Sequence, residues 1–158
     1  MAGLSAAFFD TSILVAGTLE LGRGSEAAFA LVDAVADGRI EGPLTAWHCC
    51  LEYFSVTTRL PEEYRLEPSH ALRLVREEIL SRFTVLGLPE GARAGFLAAV
   101  AADGVVGGRV YDAHIAEVAR RGGARVLVTD NRRHFTSLLR HGVKVLTAAE
   151  ALEELGQA

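Results

Sequence analysis

The run from Val110 to Phe135 constrains the fold more than any other part of the chain. Counting from Asp112, apolar residues recur at Ile115, Ala116 and Ala119, the i, i+3, i+4, i+7 spacing of one helix face. Gly122-Gly123 ends that helix, because glycine enters the left-handed region without a Cβ clash. Arg125 to Thr129 then reads as a strand, and its branched triplet Val126-Leu127-Val128 marks a buried one. Asp130 follows at once, and Asn131-Arg132-Arg133-His134-Phe135 leads into a further helix.

The N-terminus repeats this pattern. Ala6 to Phe9 is a short apolar strand, Asp10-Thr11-Ser12 ends it, and Ile13 to Leu21 starts a helix that Gly22-Arg23-Gly24 breaks. An amphipathic helix is expected over Glu26 to Asp37 with Phe29, Val32 and Val35 inward, then a brief strand over Ile40 to Leu44. Thr45 is placed to cap the next helix, where Trp47, Cys50, Leu51, Phe54 and Thr58 share one face and His48, Glu52, Ser55 and Arg59 the other. Further on come a loop to Pro68, a helix over Ser69 to Ser81 and a strand over Phe83 to Leu88. A helix from about Pro89 to Ala102 follows, and the last elements are a strand over Val143 to Leu146 and a helix over Ala148 to Leu155. The glycine-rich Gly104 to Gly108 lacks the GxGxxG spacing and follows no strand, so it is not a dinucleotide loop. This alternation of about five short strands with helices predicts an α/β fold: a three-layer αβα sandwich around a central, mostly parallel sheet.

A chain of 158 residues, half of them apolar, is expected to form a single domain over 1–158. A net charge of −4 argues against coating nucleic acid through bulk charge, and leaves room for an enzyme with a local basic rim. Lys144 is the sole lysine; the other basic residues are arginines, which grip phosphate bidentately but also accumulate in any GC-rich genome. Cys49 and Cys50 are adjacent and alone, with no zinc spacing, and read as small core residues of a reducing compartment. There is no basic n-region and no apolar run of membrane-spanning length, so a cytoplasmic protein with no membrane partner is expected.

Four acids occupy comparable places. Asp10 and Asp130 follow buried strands, where open α/β sheets bind ligands; Glu52 and Asp112 lie early in helices. Taken singly, each is accounted for as a solvated or helix N-terminal acid. Gathered at one sheet edge, they would form a carboxylate cluster that cannot stay fully ionised without a cation. Oxygen ligands select hard ions such as Mg²⁺ or Mn²⁺, which activate water and stabilise charge on a phosphate.

In this order and at this length the pieces Phe8-Phe9-Asp10-Thr11-Ser12-Ile13-Leu14, Leu51-Glu52, Tyr111-Asp112-Ala113-His114-Ile115-Ala116 and Val126-Leu127-Val128-Thr129-Asp130, closed by Phe135, resemble the PIN domain. Within that family they are similar to the small VapC-like toxins of toxin–antitoxin pairs. The resemblance covers nearly the whole chain and implies a PIN-like fold and a metal-dependent endoribonuclease. It carries the family's acidic quartet onto Asp10, Glu52, Asp112 and Asp130 as catalytic and metal-binding residues, with Ser12 and Thr129 as supporting hydroxyls. It also implies Mg²⁺ or Mn²⁺ as cofactor, RNA as substrate, a small cognate antitoxin and a homodimer. Asn131 either helps hold a metal-bound water or caps a helix, and Arg132-Arg133 either bind substrate phosphates or form a solvated helix start.

Rival readings fit less well. A haloacid-dehalogenase-type phosphotransferase needs a second acid two residues after the first, where this chain has Ser12. A receiver domain needs paired acids at the first strand, and Phe8 and Phe9 precede Asp10. The remaining alternatives are a PIN-like housekeeping nuclease and a catalytically silent binding module. The histidines build no catalytic system: His48 shares a face with Glu52, His114 points away from Asp112, and His70, His134 and His141 read as surface residues.

Overall fold

Branched and aromatic triplets form the sheet, and amphipathic stretches cover it. The computed structural model describes residues 3–22 and 24–156; Arg23, in the expected break after the first helix, lies outside them. The strands are β1 (Ala7–Phe9), β2 (Leu44–Ala46), β3 (Thr84–Leu86), β4 (Val126–Val128) and β5 (Lys144–Leu146). They pair in the order β3-β2-β1-β4-β5, every pairing parallel, with Phe8 opposite Leu44 on one side and Leu127 on the other. The helices are α1 (Thr11–Thr18), α2 (Glu26–Ala36), α3 (Trp47–Thr57), α4 (Pro68–Leu74), α5 (Arg93–Ala102), α6 (Arg109–Arg121) and α7 (Ala148–Gly156). None is long and apolar enough to cross a membrane.

Right-handed crossovers put α1 to α4 on one face of this sheet and α5 and α6 on the other. α2 packs on α1 and α7, α5 on α6, and α6 over β2. Phe8, Phe9, Ile13, Leu14, Leu31, Ile115 and Leu127 are fully buried between these layers. A Cβ at Gly17 would stand 2.3 Å from Val32 Cγ2 and 2.8 Å from the Ala28 carbonyl oxygen, so α1 and α2 approach more closely than any larger residue permits. At the far end of α6, Gly123 takes φ +77° and Ala124 N–H bonds the Ala119 carbonyl, a Schellman stop of the kind Gly122-Gly123 predicts.

Three local expectations are corrected. The buried face of α3 is Cys49, Cys50, Tyr53 and Thr57, while Trp47, Leu51 and Phe54 are 53%, 53% and 38% exposed. Both stripes have helical spacing; the Tyr53 hydroxyl, 2.8 Å from Thr18 Oγ1 on α1, helps to hold the inner one. Thr45 is not a cap: it lies in β2, donates to the Phe9 carbonyl at 2.9 Å, and Ala46 takes the N-cap position before α3. The expected helix after Asp130 is two 3-10 segments, Arg132–His134 and Thr136–His141, ended by Gly142 at φ +75°. A 3-10 turn rises about 2.0 Å per residue against about 1.5 Å in an α-helix, which suits a short crossing to the next strand. In addition, the helix expected over Ser69 to Ser81 widens after α4 into a π-helical stretch, Val75–Leu80, with Ala71, Val75 and Ile79 inward and Leu72 and Leu80 exposed.

Strand order reverses at β1, with β2 on one side and β4 on the other. The crevice beyond the carboxyl ends of β1 and β4 is therefore the topological switch point, where parallel α/β sheets bind ligands. Asp10 leaves β1 into it and Thr129-Asp130 leave β4.

Candidate active site

Asp10 is pinned by both backbone and side chain. Its N–H donates to the Val128 carbonyl at 3.1 Å, carrying the β1–β4 ladder one residue past the strand. Its Oδ1 accepts from Thr11 N–H at 2.7 Å, capping α1, and its Oδ2 accepts from the Thr129 hydroxyl at 2.7 Å and the Ser12 hydroxyl at 3.3 Å. Thr129 is held in turn by its N–H to the Leu146 carbonyl at 2.9 Å. Ser12 Oγ also accepts from Asp130 N–H at 3.2 Å, and Thr129 Oγ1 from Asn131 N–H at 3.0 Å. Two hydroxyls thus tie the end of β1 to the end of β4, with Asp10 at the centre.

Asp10 is only 6% exposed, and among the described residues no arginine, lysine or histidine stands within ion-pair distance of it. Burial raises its pKa above the ordinary aspartate value, the bonds from Thr129 and Thr11 oppose the rise, and the nearby charge of Glu52 adds to it. A buried carboxylate without a cationic partner is costly to ionise. The carboxylate oxygens of Asp10 suit a hard cation, whose charge would offset that cost. Cys49 lies close by in the first turn of α3; burial, with the Asp10 charge behind it, pushes its thiol up to about 12, so it is a neutral wall of the site.

The outer acids sit differently. Glu52, in the second turn of α3, meets His48 Nε2 at 2.6 Å, and Asp112, in the first turn of α6, meets His134 Nδ1 at 3.0 Å. His48 stacks on Tyr111 with ring centroids 5.3 Å apart, so the first turns of α3 and α6 meet at the same sheet edge. Among the described residues, however, no three acids, histidines or cysteines converge tightly enough to grip one ion. The four carboxylates share the edge, and Glu52 and Asp112 each have a histidine beside them.

The remaining candidates divide. Asp130 and Asn131 are exposed, and the Asn131 side chain caps nothing. Arg132 forms a two-oxygen pair with Glu150 of α7 at 2.7 and 2.8 Å, while Arg133 has no carboxylate partner among the described residues. His134 departs from the sequence reading, while His114 points away from Asp112 as expected. His134 Nδ1 meets the Asp112 carboxylate across 22 residues of chain, a contact no local spacing signals. His114 stacks at right angles on His48, and burial, with His48 beside it, lowers its pKa. The His48–Glu52 pair has the i, i+4 spacing that sequence does signal.

The PIN domain family model matches residues 6–133. Ribonuclease VapC40 of Mycobacterium tuberculosis is 32% identical over 123 residues, spanning 78% of this chain and 85% of that protein. Ribonuclease VapC27 of the same organism is 36% identical over 107 residues, 65% of this chain and 72% of that one. Among solved structures, a chain of FitAB bound to IR36 DNA fragment superposes with a TM-score of 0.62 at 16% identity, covering 90% of this chain and 94% of its own. The crystal structure of PAE2754 from Pyrobaculum aerophilum gives 0.61 at 20% identity, covering 96% of each chain. These two likenesses speak for the fold, and the matched family model and VapC relatives for the family. The chain belongs to the PIN-domain family, alongside the VapC ribonucleases.

Proposed function

We propose that this chain, 1–158 as a single PIN-like unit, is a divalent-metal-dependent endoribonuclease and the toxin of a VapBC-type toxin–antitoxin pair. The observation that carries the reading is Asp10: buried at the switch point, held by two hydroxyls and a backbone amide, and without a cationic side chain beside it. Its relatives named as VapC ribonucleases support the reaction class, and the resemblance to VapC-like toxins implies the antitoxin.

Asp10, Glu52, Asp112 and Asp130 are the residues that would hold Mg²⁺ or Mn²⁺. When bound, such an ion supplies a water of lowered pKa and charge stabilisation on the scissile phosphate. The chain's own part is to position. Ser12 and Thr129 fix the Oδ2 edge of Asp10, as supporting groups around a metal ligand do. Asn131 offers an exposed amide next to Asp130, and Arg133 an exposed guanidinium for a substrate phosphate. Arg132 instead ties the segment to α7 through Glu150. A small antitoxin and a second copy of the chain complete the reading, in the cytoplasm. The exposed stripe of Trp47, Leu51 and Phe54 is in keeping with such contacts.

The test is cleavage of RNA by purified protein. Turnover is expected with Mg²⁺ or Mn²⁺ and none in EDTA, together with growth arrest on expression that a co-expressed antitoxin relieves. Soluble, folded protein that cleaves no RNA with either metal, and leaves growth unimpaired, would favour the silent binding module.

A further inference from the structure

A groove of about 670 Å³ runs between α6 and the two 3-10 segments, with α5 as its side wall. Five arginines line it against three carboxylates, in a chain whose net charge is −4. Arg120 and Arg121 both hold Glu117, at 2.8 and 2.7 Å. Arg109, Arg133 and Arg140 are exposed and, among the described residues, have no carboxylate partner within 4.0 Å. They come from three places: the start of α6, the first 3-10 segment and the second. Asp112 and its partner His134 stand in the same groove, so the basic lining leads to one of the four acids.

A lining in which arginines outnumber acids, and three of them have no carboxylate partner among the described residues, calls for an anionic ligand, and three guanidiniums spread along a groove call for one with repeated charges. We infer that this groove is the track of the substrate's sugar–phosphate backbone, with Arg109, Arg133 and Arg140 each binding a phosphate of a single-stranded RNA that leads to Asp112. The inference rests on the ribonuclease reading and extends it from the acidic centre to a binding path. Phosphate contacts of this kind set orientation and affinity without reading sequence. The first 3-10 segment presents both Arg133 and His134, so backbone binding and the surroundings of Asp112 share one piece of structure.

The experiment is fluorescence anisotropy of a labelled single-stranded RNA of mixed sequence with the full chain in EDTA, where it binds without cleaving, over a series of salt concentrations. Neutralising one phosphate fewer lowers the slope of log affinity against log salt by about 0.7 for a single strand. Arg109→Ala, Arg133→Ala and Arg140→Ala should each show that drop with several-fold weaker binding. Arg125→Ala, at the opposite end of β4, should leave both unchanged, and Arg133→Lys should restore the slope. Circular dichroism melts identify any variant that fails to fold, and for it the lysine variant is read instead. Groove variants with wild-type slope and affinity, while wild type cleaves RNA with Mn²⁺, would overturn the groove and leave the ribonuclease reading standing. Wild type that neither binds nor cleaves RNA would overturn that reading and the groove with it. Binding of polyglutamate that is sensitive to these arginines, with RNA binding insensitive to them, would make the groove a site for an acidic peptide and contradict the inference.

Discussion

Asp10 and Thr129 leave the sheet on strand ends, whereas Glu52 and Asp112 ride on helices. The strand-end residues are held by ladder bonds one residue past each strand, and their side chains bond each other across the β1–β4 boundary. The helix acids are each held by one histidine, in pairs whose side chains are 21% to 38% exposed. Side-chain pairs this open to solvent contribute about 1 kcal/mol or less, so these partners exchange cheaply. The difference teaches that the proposed site would combine a fixed buried pole with adjustable outer acids, and that the buried pole bears the desolvation cost.

The largest expected effect is on Asp10 itself. Asp10→Asn keeps the shape and removes the charge, and should lower RNA cleavage by more than about 100-fold, beyond the roughly 10–100-fold loss typical of removing a ligand's supporting partner. Glu52→Gln and Asp112→Asn should lose less at saturating Mn²⁺. Equal losses in initial rate for all three variants would erase the distinction between pole and outer acids.

Next comes Thr129→Val, which deletes the 2.7 Å donor to Asp10 and leaves a buried acceptor short of a partner. A metal titration followed by cleavage should show activation at about 10–100-fold higher Mn²⁺, and denaturant melts a loss of about 1–3 kcal/mol. Thr129→Ser should recover most of both. A Val variant indistinguishable from wild type would show that the hydroxyl bridge does not hold the pole.

Smaller still are the outer partners. His48→Ala and His134→Ala should change stability by about 1 kcal/mol or less and leave cleavage within a few-fold of wild type. Should either histidine cost more activity than Thr129→Val, the outer acids are the better-held half of the site.

Much of this division is legible in the chain itself. The run Val126-Leu127-Val128-Thr129-Asp130 after Gly122-Gly123 marks a buried strand ending on an acid, and Phe8-Phe9-Asp10 marks its neighbour; local pattern suffices because short apolar strands are bounded by their own turn residues. The inward face of α3 is not legible. Trp47-Leu51-Phe54 and Cys49-Tyr53-Thr57 both have helical spacing, and the choice is made by tertiary packing, with Tyr53 reaching Thr18. Nor is the Asp112–His134 pair, since contacts between elements far apart in sequence leave no periodic trace. Thr45 shows the same limit: a hydroxyl before a helix signals a cap, but here the strand takes it and its bond goes to Phe9.

The central claim is that Asp10 is a buried charge awaiting a cation, and paired thermal melts test it most directly. Burial raises its folded pKa above the unfolded value of 3.8, so the folded state binds the proton more tightly. Its contribution to stability is therefore full below the unfolded pKa and lost as pH rises through the folded one, making the ionised group a net cost at neutral pH. In EDTA at pH 7, Asp10→Asn should melt above wild type, by an amount equivalent to about 1 kcal/mol, and the gap should close as pH is lowered towards 4. Mn²⁺ should raise the wild-type melt, by the equivalent of roughly 2.7 kcal/mol at a hundredfold excess over Kd, and leave the variant nearly unmoved, reversing the order. An Asp10→Asn protein less stable than wild type in EDTA at pH 7, with Mn²⁺ shifting neither, would show Asp10 to be a helix cap and nothing more.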